Sequence, residues 1–231
     1  MDEHSPKLIL IIRGHVRNSF SNNILYSLIK RLSVEYDIDI FIHTWNIMQS
    51  DVSWRQLNKI PTKITEQLIY EYFKDLSSHI KKIIISDDTT IKLIGRTTGN
   101  IASLCPCPTI SWKRMWYGKY TIIDYVKNYG NYDNRNNIVL NMRFDLLDNS
   151  NNIFSYETIT DRINNELPCN FTKNIFCFDN RTCGVDNCYF GNIDTMHKLS
   201  SHFHFKLDAI IARYPNIMHQ EFLVPHENDI L

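Results

Sequence analysis

Apolar and polar positions alternate between two periods along the chain. Lys7 to Ile12 is a nearly unbroken aliphatic run, the pattern of a strand buried on both faces as in a parallel sheet flanked by helices. It ends in Arg13-Gly14-His15-Val16-Arg17. Asn18 or Ser19 can cap the next segment, where Ile24, Leu25, Leu28, Ile29 and Leu32 recur at helical spacing. Asp37 to Ile42 predicts a second strand that delivers His43, Thr44 and Trp45 at its carboxyl end. Thr62 can cap a helix through Leu68, Ile69 and Phe73, and Lys81 to Ile85 is a third buried strand. Between Ser86 and Ile110 periodicity disappears and Gly95, Gly99, Pro106 and Pro108 mark a long loop.

Ser111 then stands before a long amphipathic helix with Trp112, Met115, Trp116, Tyr120, Ile123 and Val126 on one face and Gly130 as its stop. Asn137 to Met142 is the next buried strand, ending in Arg143-Phe144-Asp145. Phe176 to Phe178 and Cys188 to Phe190 read as short strands, and Ile193 to Leu199 and His204 to Arg213 as helices. Strands alternating with helices predict an α/β fold with a mostly parallel central sheet. No repeat or linker divides the chain, so residues 1–231 are read as one domain.

Composition narrows the function. Twenty-five basic and 25 acidic residues cancel, so the positive field of a dedicated nucleic-acid binder is absent. Apolar runs such as Leu8 to Ile12 fall far short of the roughly 20 residues that span a bilayer. Acids and a proline in Met1 to Lys7 replace the basic start of a secretory signal, which points to a cytoplasmic protein. No two of the six cysteines form a CxxC pair, so buried or idle thiols are favoured over structural zinc. His197, His202, His204 and His219 have no acid repeating with them that would complete a metal set. Pro225 to Leu231 follows a predicted helix closely, a place where a longer polypeptide would continue.

In open α/β sheets ligands bind outside the carboxyl ends of the strands, at a switch in strand order. Three polar clusters fall at such ends: 13–17, 43–45 and 143–145. Arginine beside a loop that opens a helix suits a phosphate, which makes Arg17 a diphosphate candidate; a surface charge on the first helical turn is the competing reading. Neither GxGxxG nor GxxxxGK[ST] occurs, which counts against a dinucleotide oxidoreductase and a P-loop kinase.

Taken together, Ile12-Arg-Gly-His-Val-Arg17, Asp39-Ile-Phe-Ile-His-Thr-Trp45, Met115-Trp-Tyr117, Arg143-Phe-Asp145 and Asp186 followed by Phe190-Gly191 resemble a group of glycosyltransferases. That group occurs in large DNA viruses, chloroviruses among them, and in bacterial surface-polysaccharide clusters. The resemblance implies a GT-A-like, Rossmann-related domain that moves a sugar from a UDP- or GDP-linked donor to a glycan or glycoprotein acceptor, in the host cytoplasm if the protein is viral. It implies that Arg13, Gly14, His15 and Arg17 lie near the nucleotide with His43, Thr44 and Trp45 beside them. It also places Asp145 where GT-A enzymes hold a divalent cation, Mn²⁺ or Mg²⁺. The residue two before it is Arg143, so a cation replaces a carboxylate and Arg143 is a candidate to neutralise the diphosphate directly.

The chemistry of transfer assigns the remaining roles. Negative charge left on the diphosphate calls for Arg17, Arg143 and Arg114 or Lys119. An inverting enzyme needs a carboxylate to take the acceptor proton, for which Asp186 stands first and Glu221 second. The alternatives are a turn residue after Gly184 for Asp186 and a solvated helix-face acid for Glu221. Asp148 is either a second acidic contact or the end of its strand. Trp45 and Tyr117 are the aromatic candidates for stacking on a base or sugar. A non-catalytic carbohydrate- or nucleotide-binding protein is the competing class, and a nucleotidyltransferase the third.

Overall fold

The computed structural model describes residues 7–53, 56–102, 106–147, 155–166, 171–177 and 184–231. Phe178, Asp148, Cys105, Cys169 and Cys183 lie outside them. The first βα unit is β1 (Leu8–Arg13) and α1 (Ile24–Glu35), followed by β2 (Ile38–Trp45), a short hairpin of β3 (Ile47–Gln49) and β4 (Ile60–Lys63), α2 (Glu66–Phe73) and β5 (Ile80–Ser86). After the long loop come α3 (Thr109–Tyr129), β6 (Ile138–Arg143), α4 (Tyr156–Glu166), β7 (Ile175–Phe176), β8 (Cys188–Gly191), α5 (Ile193–Arg213) and α6 (Leu223–Ile230).

Six strands form one sheet in the order β5-β2-β1-β6-β8-β7, in which β5, β2, β1 and β6 run parallel, β8 runs against β6, and β7 pairs antiparallel with β8. The chain grows from β1 outward through β2 to β5, then returns to lay β6 on the other side of β1. The switch point therefore lies between β1 and β6. Because β8 runs against β6, the turn that precedes it sits at the carboxyl ends of the parallel strands.

The continuous aliphatic runs reflect burial on both faces. Leu8, Leu10 and Ile12 pack with Leu25, Ile29 and Phe73 on one side, and Ile9 and Ile11 pack with Trp116, Ile123 and Phe203 on the other. All six β1 residues are buried.

Several boundaries differ from expectation. Neither Asn18 nor Ser19 caps α1: Ser19–Ser21 forms a separate 3₁₀ turn, and the Ile24 amide donates to the Asn22 side chain. Thr65, not Thr62, caps α2, its hydroxyl accepting from the Leu68 amide, because residues 60–63 are taken up by the hairpin. Pro108, not Ser111, stands before α3, and Gly130 ends it by donating its amide to the Val126 carbonyl. The two expected C-terminal helices are one, α5. Ser200 and Ser201 return their hydroxyls to the His197 carbonyl, and buried Ser200 and Phe203 carry the apolar stripe through the join. Among the described residues no helix is long and apolar enough to cross a membrane.

Candidate functional site

Three strand ends converge on one edge of the sheet. Leaving β1, the chain turns through Gly14 at φ +99° and Arg17 at φ +52°, both left-handed, which only glycine adopts without strain. The turn is pinned on both sides: the Gly14 amide donates to His43 O (3.1 Å), the Thr44 hydroxyl to Gly14 O (2.9 Å), and the Arg17 amide to Met48 O (3.0 Å). Thr44 thus serves the loop and does not line the cleft.

His43 lies inside β2, fully buried, with Nε2 at 3.1 Å from the Ser86 hydroxyl. Helix α3 approaches it through Gly118, where a Cβ would meet His43 Nδ1 at 2.6 Å. Trp45 ends β2 between the His15 and Tyr117 rings, 5.8 and 6.2 Å away. Burial, reinforced at His15 by the Arg17 and Arg114 charges, pulls both imidazoles down to about 3. Near neutral pH they contribute uncharged rings.

At the end of β6, Arg143 grips Asp145 with two bonds, Nε to Oδ1 at 2.7 Å and Nη2 to Oδ2 at 2.6 Å, and Arg17 adds a third at 2.5 Å. Burial raises the Asp145 carboxyl, but the Arg143 and Arg17 charges outweigh it and hold it at about 2. Across the sheet Arg13 donates Nε to Asn141 (2.9 Å) and Nη2 to the Asp186 carbonyl. Lys119, wholly buried on α3, lies 3.2 Å from both that carbonyl and Asp186 Oδ2. Burial would raise Asp186, yet Lys119 and Arg13 keep it below its ordinary value.

Glu221 is the contrast. It sits in a 3₁₀ turn before α6, accepts the Gly184 amide, and lines the same cleft as Asp186. Burial, together with the Asp186 charge, pushes its carboxyl up to about 7. The solvated helix-face reading of Glu221 is therefore corrected: the residue is 7% exposed, because residues 220–222 fold under the 184–187 turn.

These groups border a cleft of about 120 Å³ that opens to solvent on one side. Arg13, Gly14, His15, Arg17, His43, Trp45, Arg114, Arg143, Asp186 and Glu221 line it, whereas Thr44, Tyr117 and Asp145 do not. Arg114 is held by Asp88, 2.9 Å from its carboxylate. No protein-family model and no curated protein matches the chain.

Ser50, Val52 and Ser53 also line the cleft, on a hairpin connection without periodic signal, as does Gln220 beside Glu221. Ser111, Met115 and Gly118 fall at i, i+4 and i+7 on α3; from the sequence Ser111 reads as the cap and Met115 as part of the apolar face, and Gly118 has no role. His15 Nε2 and Arg114 Nε are buried with no hydrogen-bond partner among the described residues, so a bound molecule would satisfy them. The expected cation at Asp145 does not fit this donor set. Both carboxylate oxygens accept from guanidinium groups, and among the described residues no three His, Cys, Asp or Glu side chains converge.

Proposed function

We propose that this chain is a GT-A-like glycosyltransferase that moves a sugar from a UDP- or GDP-linked donor to a hydroxyl of a glycan or glycoprotein acceptor with inversion. The observation that carries the proposal is the meeting, at the switch point, of several arginines with one carboxyl that titrates near neutrality. Arginine forks match diphosphate oxygens, and a preorganised cluster stabilises the charge that develops as the sugar–phosphate bond breaks. In this reading Arg17 and Arg143 face the leaving diphosphate. Arg13, tied to Asn141 and Asp186, holds the wall.

Glu221 takes the acceptor proton as the acceptor oxygen bonds to the anomeric carbon and the diphosphate departs. A base poised near the working pH combines a useful ionised fraction with proton affinity. Asp186, kept ionised by Lys119 and Arg13, is less suited to that step and serves as a fixed counter-charge. The binding-module reading draws on the same ion pairs, since Asp145 and Asp186 are both engaged by cations. Glu221 favours catalysis.

The test has two arms. UDP or GDP should raise the melting temperature by several degrees at saturation, equally in EDTA and in Mn²⁺. Glu221→Gln should cut nucleoside diphosphate release from a donor panel by about 100-fold or more while UDP affinity stays within about threefold. Absence of any nucleotide shift would end the donor-site reading, and wild-type turnover by Glu221→Gln would end the base assignment.

A further inference from the structure

Outside the cleft's chemistry, two buried thiols meet across the outer strands. Strands β7 and β8 pair with Ile175 opposite Phe190 and Phe176 opposite Tyr189, and the Cys177 amide donates to Cys188 O at 3.2 Å, so the register continues to place Cys177 opposite Cys188. Their sulfurs are 3.5 Å apart. Directly opposed residues of an antiparallel pair have Cα atoms about 4.5–5.5 Å apart, inside the 4.4–6.8 Å range that a disulfide spans. Closing the sulfurs to about 2.05 Å is thus a matter of side-chain rotation with the backbone in place.

We infer that Cys177 and Cys188 form a peroxide-oxidisable dithiol, a site at which hydrogen peroxide installs a cross-strand disulfide behind the cleft wall. One thiolate attacks a peroxide oxygen, the O–O bond breaks, and a sulfenic acid and hydroxide result. The second thiolate displaces hydroxide from that sulfur, so that two thiols and one peroxide give one disulfide and two waters. Peroxide is the fitting oxidant because both thiols are buried, Cys188 completely, and a small neutral molecule reaches such a site more readily than a bulky disulfide. Burial keeps Cys188 protonated, opposed in part by the Arg13 charge, so the reaction is slow compared with that of an exposed thiolate.

The bridge would join two strands on either side of the 184–187 turn. Cys188 follows Asp186 by two residues, and the Asp186 carbonyl is the anchor of Arg13 and Lys119. Oxidation therefore staples the part of the cleft wall that carries Asp186 and Gly184.

The experiment treats the native full chain with hydrogen peroxide, alkylates remaining thiols, and maps peptides without reduction. The expected result is a Cys177–Cys188 linkage with a mass loss of about 2 Da and a melting temperature higher by roughly 5 °C or more, reversed by dithiothreitol. Cys188→Ser and Cys177→Ala should each abolish the linkage. The wild-type map alone decides the matter if either variant fails to fold. Free, alkylated Cys177 and Cys188 after treatment, or linkage of either to one of the other four cysteines, would overturn the proposal.

Discussion

Asp186 has almost no water around it and two cations against it. At 2% exposure its carboxylate stands between the Lys119 ammonium and the Arg13 guanidinium, and Lys119 also lies 4.0 Å from the centre of the Trp116 ring. Removing one member of a buried ion-pair set leaves the others uncompensated, which costs about 3–5 kcal/mol. Asp186→Ala should lose stability on that scale in urea unfolding, with Asp186→Asn losing less because an amide oxygen still accepts from Lys119. Wild-type stability of the alanine variant would refute the counter-charge role. Such pairings were illegible in the sequence: Arg17 and Asp145 are far apart along the chain, and only the return of β6 to the side of β1 makes them neighbours.

At the level of elements, the seat of α3 on β2 depends on the missing side chain of Gly118. An alanine Cβ would stand 2.6 and 2.7 Å from two atoms of the buried His43 ring, closer than real contacts permit. Gly118→Ala should therefore destabilise the protein by about 1–3 kcal/mol through overpacking, despite alanine's better helix propensity. A melting temperature equal to or above that of wild type would show that the helix shifts freely. Burial on both faces left β1, β2 and β6 as aliphatic runs, so they were readable, and with them the strand-end clusters of the cleft; β5 was readable as a strand too, but at the sheet edge it is only partly covered and not the buried strand expected over 81–85. The hairpin β3–β4 is short and only partly covered, so it carries no period. Helix α6 was hidden by Pro225, which as a rule breaks helices but here lies in the first turn, where its missing amide hydrogen has no intrahelical partner to lose.

The molecule as a whole responds to acid through groups that pull in opposite directions. His15 and His43, held down at about 3 from an ordinary 6.5, stay neutral in the folded chain while an unfolded chain protonates them. Their contribution is complete above pH 6.5 and is lost as the pH falls toward 3. Burial also lowers His204 and His219, which act in the same sense. Glu221 opposes them: raised from 4.5 to about 7, it favours folding below 4.5 and loses that contribution as the pH rises through 7. Stability should fall from pH 6.5 to pH 5, and Glu221→Gln should steepen the fall by about one proton, roughly 1.4 kcal/mol per pH unit. Urea titrations across this range check it, and an unchanged slope would contradict the raised carboxyl.

The central place of β1 also governs when the molecule is able to fold. Leu8 pairs with Ile38 on one side and with Ile138 on the other, so β1, the first of these six strands to be synthesised, waits for β6 before both its edges are closed. During synthesis the nascent chain carries an apolar strand with an open edge until β6 emerges, and Asp186 and Glu221 arrive later still. The cleft is consequently among the last features to form, and an interrupted translation product ending before β6 would present a sticky edge to chaperones and to its own copies.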